Sequence, residues 1–237
     1  MKLLKKIYIL AIIACSHLTD YSCVSYAQQH AIGFTTGYNA GRFFNFFKDD
    51  TYHANYRLKS GFSLATFYET KNKPVVSFRV GFQYQYQNAN MEVHEQVSHS
   101  SFYTKIDYSI QLLVLNLDLV FQLVNQPKLK FNLLFGPDFS YTINTKAKGE
   151  GWTYYSASTG TKQYWEKDER NSKDLSKFNI GVNLGLEFII PIREQLDFLI
   201  QNKYTFFLTN ISKVQNIRHT SMFTGGLQVG LRYHFKK

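Results

Sequence analysis

Thiols are nearly absent: 237 residues hold two cysteines, Cys15 and Cys23. Both lie before residue 28, so a chain trimmed at its N-terminus has neither a disulfide framework nor a thiolate metal site. Proline is scarce at 4 residues and tryptophan is limited to 2. Apart from Ile7 to Ala14, itself too short to cross a bilayer, no apolar run approaches the roughly 18 residues that a membrane helix requires. Spanning by α-helix is thereby excluded. What is abundant is Phe (21) and Tyr (17), in a chain whose mean hydropathy is only -0.27. An aromatic-rich chain without net hydrophobicity is what alternating strands produce, each apolar residue being followed by a polar or small one.

The first residues read as an export signal. Lys2, Lys5 and Lys6 form a basic start, Ile7 to Ala14 the apolar segment, and Ser25 and Ala27 place small residues where a signal peptidase reads. The expected organisation is a signal peptide over 1–27 and a barrel domain over 28–237. A lipobox-like Ile12-Ile13-Ala14-Cys15 offers lipidation of Cys15 as an alternative. Removing 1–27 takes away three Lys and one Asp, which lowers the net charge from +10 to +8. No basic stripe of the kind that binds nucleic acid is visible. After export the excess is expected to meet outer-membrane lipid and lipopolysaccharide.

Period-two alternation recurs along the chain, and it sends successive side chains to opposite faces of a sheet. It is cleanest at Val76 to Gln87, Leu129 to Tyr141, Phe178 to Phe188 and Phe223 to Phe235, and weaker at Ile32 to Ala40, Gly61 to Thr70, Ile106 to Leu123 and Leu196 to Leu208. Eight segments predict an all-β fold: an eight-stranded antiparallel transmembrane β-barrel in the cell outer membrane. The connections alternate long and short, the long ones being Gly41 to Ser60, Asn88 to Lys105, Ile143 to Lys177 and Asn210 to Thr220. With both termini in the periplasm, the long loops are expected outside the cell and the short turns inside. In the fourth segment the polar residues change parity between Asp107, Ser109, Gln111 and Asn116, Asp118, Gln122, which predicts a β-bulge near Gln111 to Leu115.

Several stretches are similar to the Bacteroidetes outer-membrane β-barrel family often labelled PorT-like, an outer membrane protein beta-barrel domain. They are Tyr108 to Leu113, Phe135-Gly136-Pro137, Asn179 to Gly185, Tyr204 to Ser212 and the closing Gly230 to Phe235. Gln111 stands where that family usually carries Pro. The resemblance implies the barrel architecture and assigns no substrate.

If the polar faces point inward, the lumen collects Glu69, Arg79, Asp107, Asp118, Lys130, Asp138, Glu187, Lys203, Arg232 and His234. An eight-stranded interior is just wide enough for side chains to fill, so an ion-paired plug is expected, with a narrow ion path or proton relay as the alternative. The third outer loop holds Trp152, Tyr154, Tyr155, Tyr164 and Trp165. This aromatic cluster is either a contact surface for an extracellular glycan or protein, or a self-packed hairpin. Ser98-His99-Ser100 with His94 and Glu95 forms the one Ser/His cluster, and adjacency on a loop does not make a triad. No cofactor and no metal site is expected, and the leading expectation is a non-enzymatic protein with a structural or loop-mediated binding role. An embedded enzyme acting on lipid A or phospholipid is second, and a lipocalin-like ligand carrier third.

Overall fold

The computed structural model describes residues 29–45, 52–71, 75–97, 100–155, 162–170, 175–211 and 220–235. The signal segment, Cys15, Ser98, His99 and the tip of the third loop lie outside the described residues. Ten strands are present among those described: β1 (Gln29–Asn45), β2 (Tyr52–Arg57), β3 (Lys59–Lys71), β4 (Val76–Val97), β5 (Ser100–Asn125), β6 (Lys130–Tyr155), β7 (Lys162–Arg170), β8 (Phe178–Arg193), β9 (Leu196–Phe207) and β10 (Thr220–His234). Eight of them close an antiparallel ring in the order β4-β3-β1-β10-β9-β8-β6-β5, with β5 returning to β4. Pairing β1 with β10 joins the two ends of the chain, Ala31 lying opposite His234. Closure leaves the ring without an unpaired edge, the condition for a sheet to stand in lipid.

Alternation decides which way each strand faces. Phe34, Tyr38, Phe82, Phe135, Leu184 and Leu231 are each about half exposed on the outer wall, whereas Ser63, Gln87, Asn183 and Glu187 are sealed inside. This arrangement is the inverse of a lipocalin, whose apolar face turns inward. Gly33 marks a close approach within the lumen, because a side chain there would collide with the Phe67 ring that lies against it.

Two strands fall outside the ring. β2 pairs with the far end of β4 and β7 with the far end of β6, so β2-β4-β5-β6-β7 form a five-stranded sheet that extends the barrel wall at one end. β5 and β6 are 26 residues each, well over twice the 9–11 a membrane strand needs. The stretches expected as loops at Asn88 to Lys105 and Ile143 to Lys177 are therefore largely paired strand.

Polarity inverts along this extension. On β5 the even positions face inward throughout, yet their character changes from Asn116 and Asp118 to Ile106, Tyr108, Ile110 and Leu112. These join Phe43, Met91, Val93, Phe207 and Met222 in an apolar cluster that caps the barrel. The parity break in the sequence thus marks a change of solvent on the outer wall, and β5 carries no extra residue between Gln111 and Leu115. A register shift does occur beside Gln111 and Leu112, but the inserted residue is Ile143 on β6. The expected bulge is at the expected level and on the partner strand.

Leu184 lies midway along β8 on the outer wall, between Phe135 and Tyr204. Replacing it with Arg is expected to cost about 2–4 kcal/mol, as for a charge on the lipid face near the bilayer midplane. Gln111→Arg, on the same wall but above the apolar belt, is expected to stay within about 0.5 kcal/mol. Urea unfolding in lipid vesicles measures both, and equal costs would show that the belt does not face lipid.

Candidate functional site

The lumen is built around Arg79. Period two brings Glu69 from β3, Arg79 from β4, Glu187 from β8, and Asp197 and Arg232 from β9 and β10 to the inner face of the wall at the end that bears the short turns. Arg79 Nη1 and Nη2 donate to the two Glu187 oxygens at 2.8 and 2.9 Å, and Nε and Nη2 donate to Glu69 Oε2 at 3.1 and 2.6 Å. Ser77 Oγ donates to the second oxygen of Glu69 at 2.8 Å, and Asn132 Nδ2 donates to Glu187 at 3.0 Å. Arg232 Nη1 also reaches Glu69 at 3.4 Å, and its Nη2 donates to Asp197 Oδ2 at 2.6 Å, the atom that His234 Nε2 approaches at 2.7 Å. The guanidinium carbon of Arg79 lies 4.0 Å from the centre of the Phe67 ring, a cation–π contact on its remaining face.

A second cluster lies deeper. Lys203 Nζ donates to Asp118 at 3.1 Å and stands 3.7 Å from Asp138. The Asn183 amide donates to both carboxylates, at 2.8 and 2.6 Å, and Asn116 and Thr205 complete Asp138 at 2.6 and 2.7 Å. Every carboxylate in these clusters meets at least two donors, as charges held away from water require. Space between the paired side chains is small, with one cavity of about 20 Å³ beside Asp138 and Lys203 and another of about 50 Å³ beneath Arg232, whereas an open depression of about 700 Å³ lies at the short-turn mouth, lined by Lys130, Asp197 and His234.

Seven expected lumen residues, Glu69, Arg79, Asp118, Asp138, Glu187, Lys203 and Arg232, are inside and paired. Lys130 is not part of the network: as the first residue of β6 it lines the mouth near Lys71 and pairs with no described acid. Asp107 is exposed on the outer wall, within 3.7 Å of Lys59, because it lies beyond the polarity inversion. Asp197 was missed by the sequence reading although it shares parity with Lys203 on the same strand; proximity to the turn at Glu194 and Gln195 obscured it.

Of the expected aromatic cluster, Trp152 and Tyr164 are directly opposite each other across β6 and β7, and the side chains of Tyr154, Tyr155 and Trp165 lie outside the described residues. Trp152 joins a row that runs across the extended sheet: Tyr103 stacks on it with ring centres 6.0 Å apart, and His94 lies 4.6 Å from Tyr103. His94 and Ser100 are three rungs apart on opposite faces, so the backbone does not bring that pair together as a nucleophile and base.

Truncating Arg79 is the sharpest test of the network. Arg79→Ala leaves Glu187 without a counter-charge and Glu69 with only Arg232 at 3.4 Å, and a loss of about 3–5 kcal/mol of stability is expected. Replacing Arg79, Glu69 and Glu187 together with Met, Leu and Leu is expected to recover most of it, measured by unfolding in detergent. A small loss for Arg79→Ala alone would show that water reaches the carboxylates.

No curated protein sequence matches the chain. Among solved structures it is similar to the attachment invasion locus protein Ail of Yersinia pestis, at 13% identity over 86% of this chain and 99% of that one, with a TM-score of 0.38. It is also similar to Neisserial surface protein A (13%, 86% and 99%, 0.40) and to the outer membrane protease OmpT from Escherichia coli (9%, 90% and 99%, 0.45). At these identities the likeness says nothing of activity. The model of the outer membrane protein beta-barrel domain matches residues 26–213. With that match over most of its length and a closed eight-stranded ring girdled by apolar side chains, this chain belongs to the outer-membrane β-barrel domain family.

Proposed function

We propose that the protein is a closed, non-enzymatic outer-membrane barrel whose work is done outside the cell, where the five-stranded extension presents a contact surface to a glycan or protein. The observation that carries this reading is the filled interior: ion-paired side chains occupy the lumen, and an apolar cluster closes its far end. A packed lumen of this kind gives a solute no path through the barrel. The extension is supported from within by the same apolar cluster, so its outer face is held in one shape.

The orientation follows from the chain ends. Gln29 and His234 lie at the short-turn end, and in an exported barrel that end stays in the periplasm. Export itself is assigned to a cleaved signal peptide over residues 1–27, leaving 28–237 as the mature barrel. The motifs at Tyr108 to Leu113 and Gly230 to Phe235 favour the PorT-like branch of the family.

In planar bilayers the purified protein is expected to show at most rare, small openings. Arg79→Ala combined with Arg232→Ala is expected to raise their frequency. Stable, large conductance from the unaltered protein would overturn the closed-lumen reading. For orientation, protease added to intact cells should cut between residues 156 and 161 and spare the turn at Gln126 to Lys128. Cleavage confined to that turn would invert the model.

A further inference from the structure

The short-turn end of the barrel opens into the depression of about 700 Å³, and the cavity of about 50 Å³ beneath Arg232 adjoins it. Gln29, Lys130 and His234 line both, so the two spaces share walls. Lys71 from β3 and Lys130 from β6 reach the smaller cavity. Each is two residues from a buried inward side chain, Glu69 and Asn132 respectively, and so stands on the inner face of the ring. Both are half-buried.

Neither lysine is answered by an acid. Lys71 lies between Gln29 and Ser77 on its two ladders, and Lys130 between Asn125 and Ile189. The Lys71 ammonium donates to the neutral Gln122 Oε1 at 2.7 Å. The acids close by are already engaged, Glu69 and Glu187 by Arg79 and Asp197 by Arg232. The turns and chain ends around the mouth deepen the excess: over residues 28–30, 71–75, 126–130, 191–195 and 235–237 the sequence has seven Lys and Arg against one acidic side chain, Glu194. Like charges gathered in a concave mouth repel one another and draw anions from solution.

A water needs about 10–15 Å³ of such space, so the smaller cavity has room for roughly four waters or one tetrahedral oxyanion. The depression beside it has the volume of an ordinary small-molecule site, and Pro127, Pro191, Ile192 and Phe235 give it apolar walls. We propose that this mouth binds a small water-soluble phosphate ester, its phosphate held in the inner cavity between Lys71 and Lys130 and its esterified group in the depression. A doubly charged phosphate suits the site better than a carboxylate, because two ammonium groups stand without a counter-charge and a phosphate offers each of them an oxygen. Such binding needs no path through the barrel, so it is compatible with the sealed lumen. It also holds whichever side of the membrane the mouth faces.

The test is calorimetric titration of the purified full-length protein, in neutral detergent at low salt, with phenyl phosphate, inorganic phosphate and benzoate. Phenyl phosphate is expected to bind at least tenfold tighter than benzoate and at least threefold tighter than inorganic phosphate, which leaves the depression empty. Lys71→Gln with Lys130→Gln is expected to weaken phenyl phosphate at least tenfold. Lys130→Gln alone should weaken it at least threefold, while Lys128→Gln, the same charge loss on the exposed turn, changes it less than twofold. In phosphate-free buffer the double variant is expected to melt no lower than wild type, since it loses a repulsion. A lower melting temperature would show that the lysines are paired within the protein and would overturn the site. Equal weakening by Lys128→Gln and Lys130→Gln would reduce the effect to net charge and also overturn it, as would no binding of either phosphate at millimolar concentration. Benzoate binding as tightly as phenyl phosphate would overturn the choice of phosphate, and inorganic phosphate binding as tightly would make the free ion the ligand in place of an ester.

Discussion

A guanidinium with no access to water must have its donors and its charge answered by neighbours, and in this barrel Arg79 imposes that requirement on the whole lower lumen. It takes both oxygens of Glu187 and one of Glu69, and Glu69 in turn engages Arg232, which holds Asp197. The residues concerned come from β3, β4, β8, β9 and β10. Ion pairs therefore brace the ring across its interior, where an ordinary globular core would use Leu and Val. The reason is the solvent outside: a wall that turns its apolar side chains to lipid has polar ones left for the inside, and in a ring of eight strands they must satisfy one another.

Beyond the belt the same strands face water, and the rule reverses. Ile106, Tyr108, Ile110 and Leu112 occupy on β5 the inward positions that Asn116 and Asp118 occupy lower down. One continuous strand thus contributes to an ionic core and to a hydrophobic one. β5 keeps its parity here, while β6 shifts by one residue at Ile143, and the medium on the outer face changes.

This explains which features were legible in the sequence. Within the belt, alternation assigned faces correctly: Arg79, Asp118, Asp138, Glu187, Lys203 and Arg232 are all inside. Above it the same rule, applied with the same sign, put Asp107 inside when it is outside, and turned a change of medium into an expected bulge on β5. β7 is legible only as the second arm of a hairpin around Trp152 and Trp165, and β2 escaped notice because a short strand in water carries no lipid-facing alternation to betray it. Their pairing is dictated by the neighbours β4 and β6, which is tertiary information. Partner choice inside the lumen was likewise invisible, since Arg79 and Glu187 are 108 residues apart.

The length of the β5 and β6 hairpin has a bearing on how the barrel is made. Lys105, Asp107, Lys146, Lys148 and Glu150 all lie on the outward face of its distal half, and in the orientation proposed above that half passes from the periplasm to the cell exterior. A charge at the bilayer midplane costs up to about 2–4 kcal/mol, so several passing together would cost about as much as the entire stability of an ordinary domain. The apolar cap draws Ile106, Tyr108, Ile110 and Leu112 from that distal half, so it is completed only once the half has reached its final place.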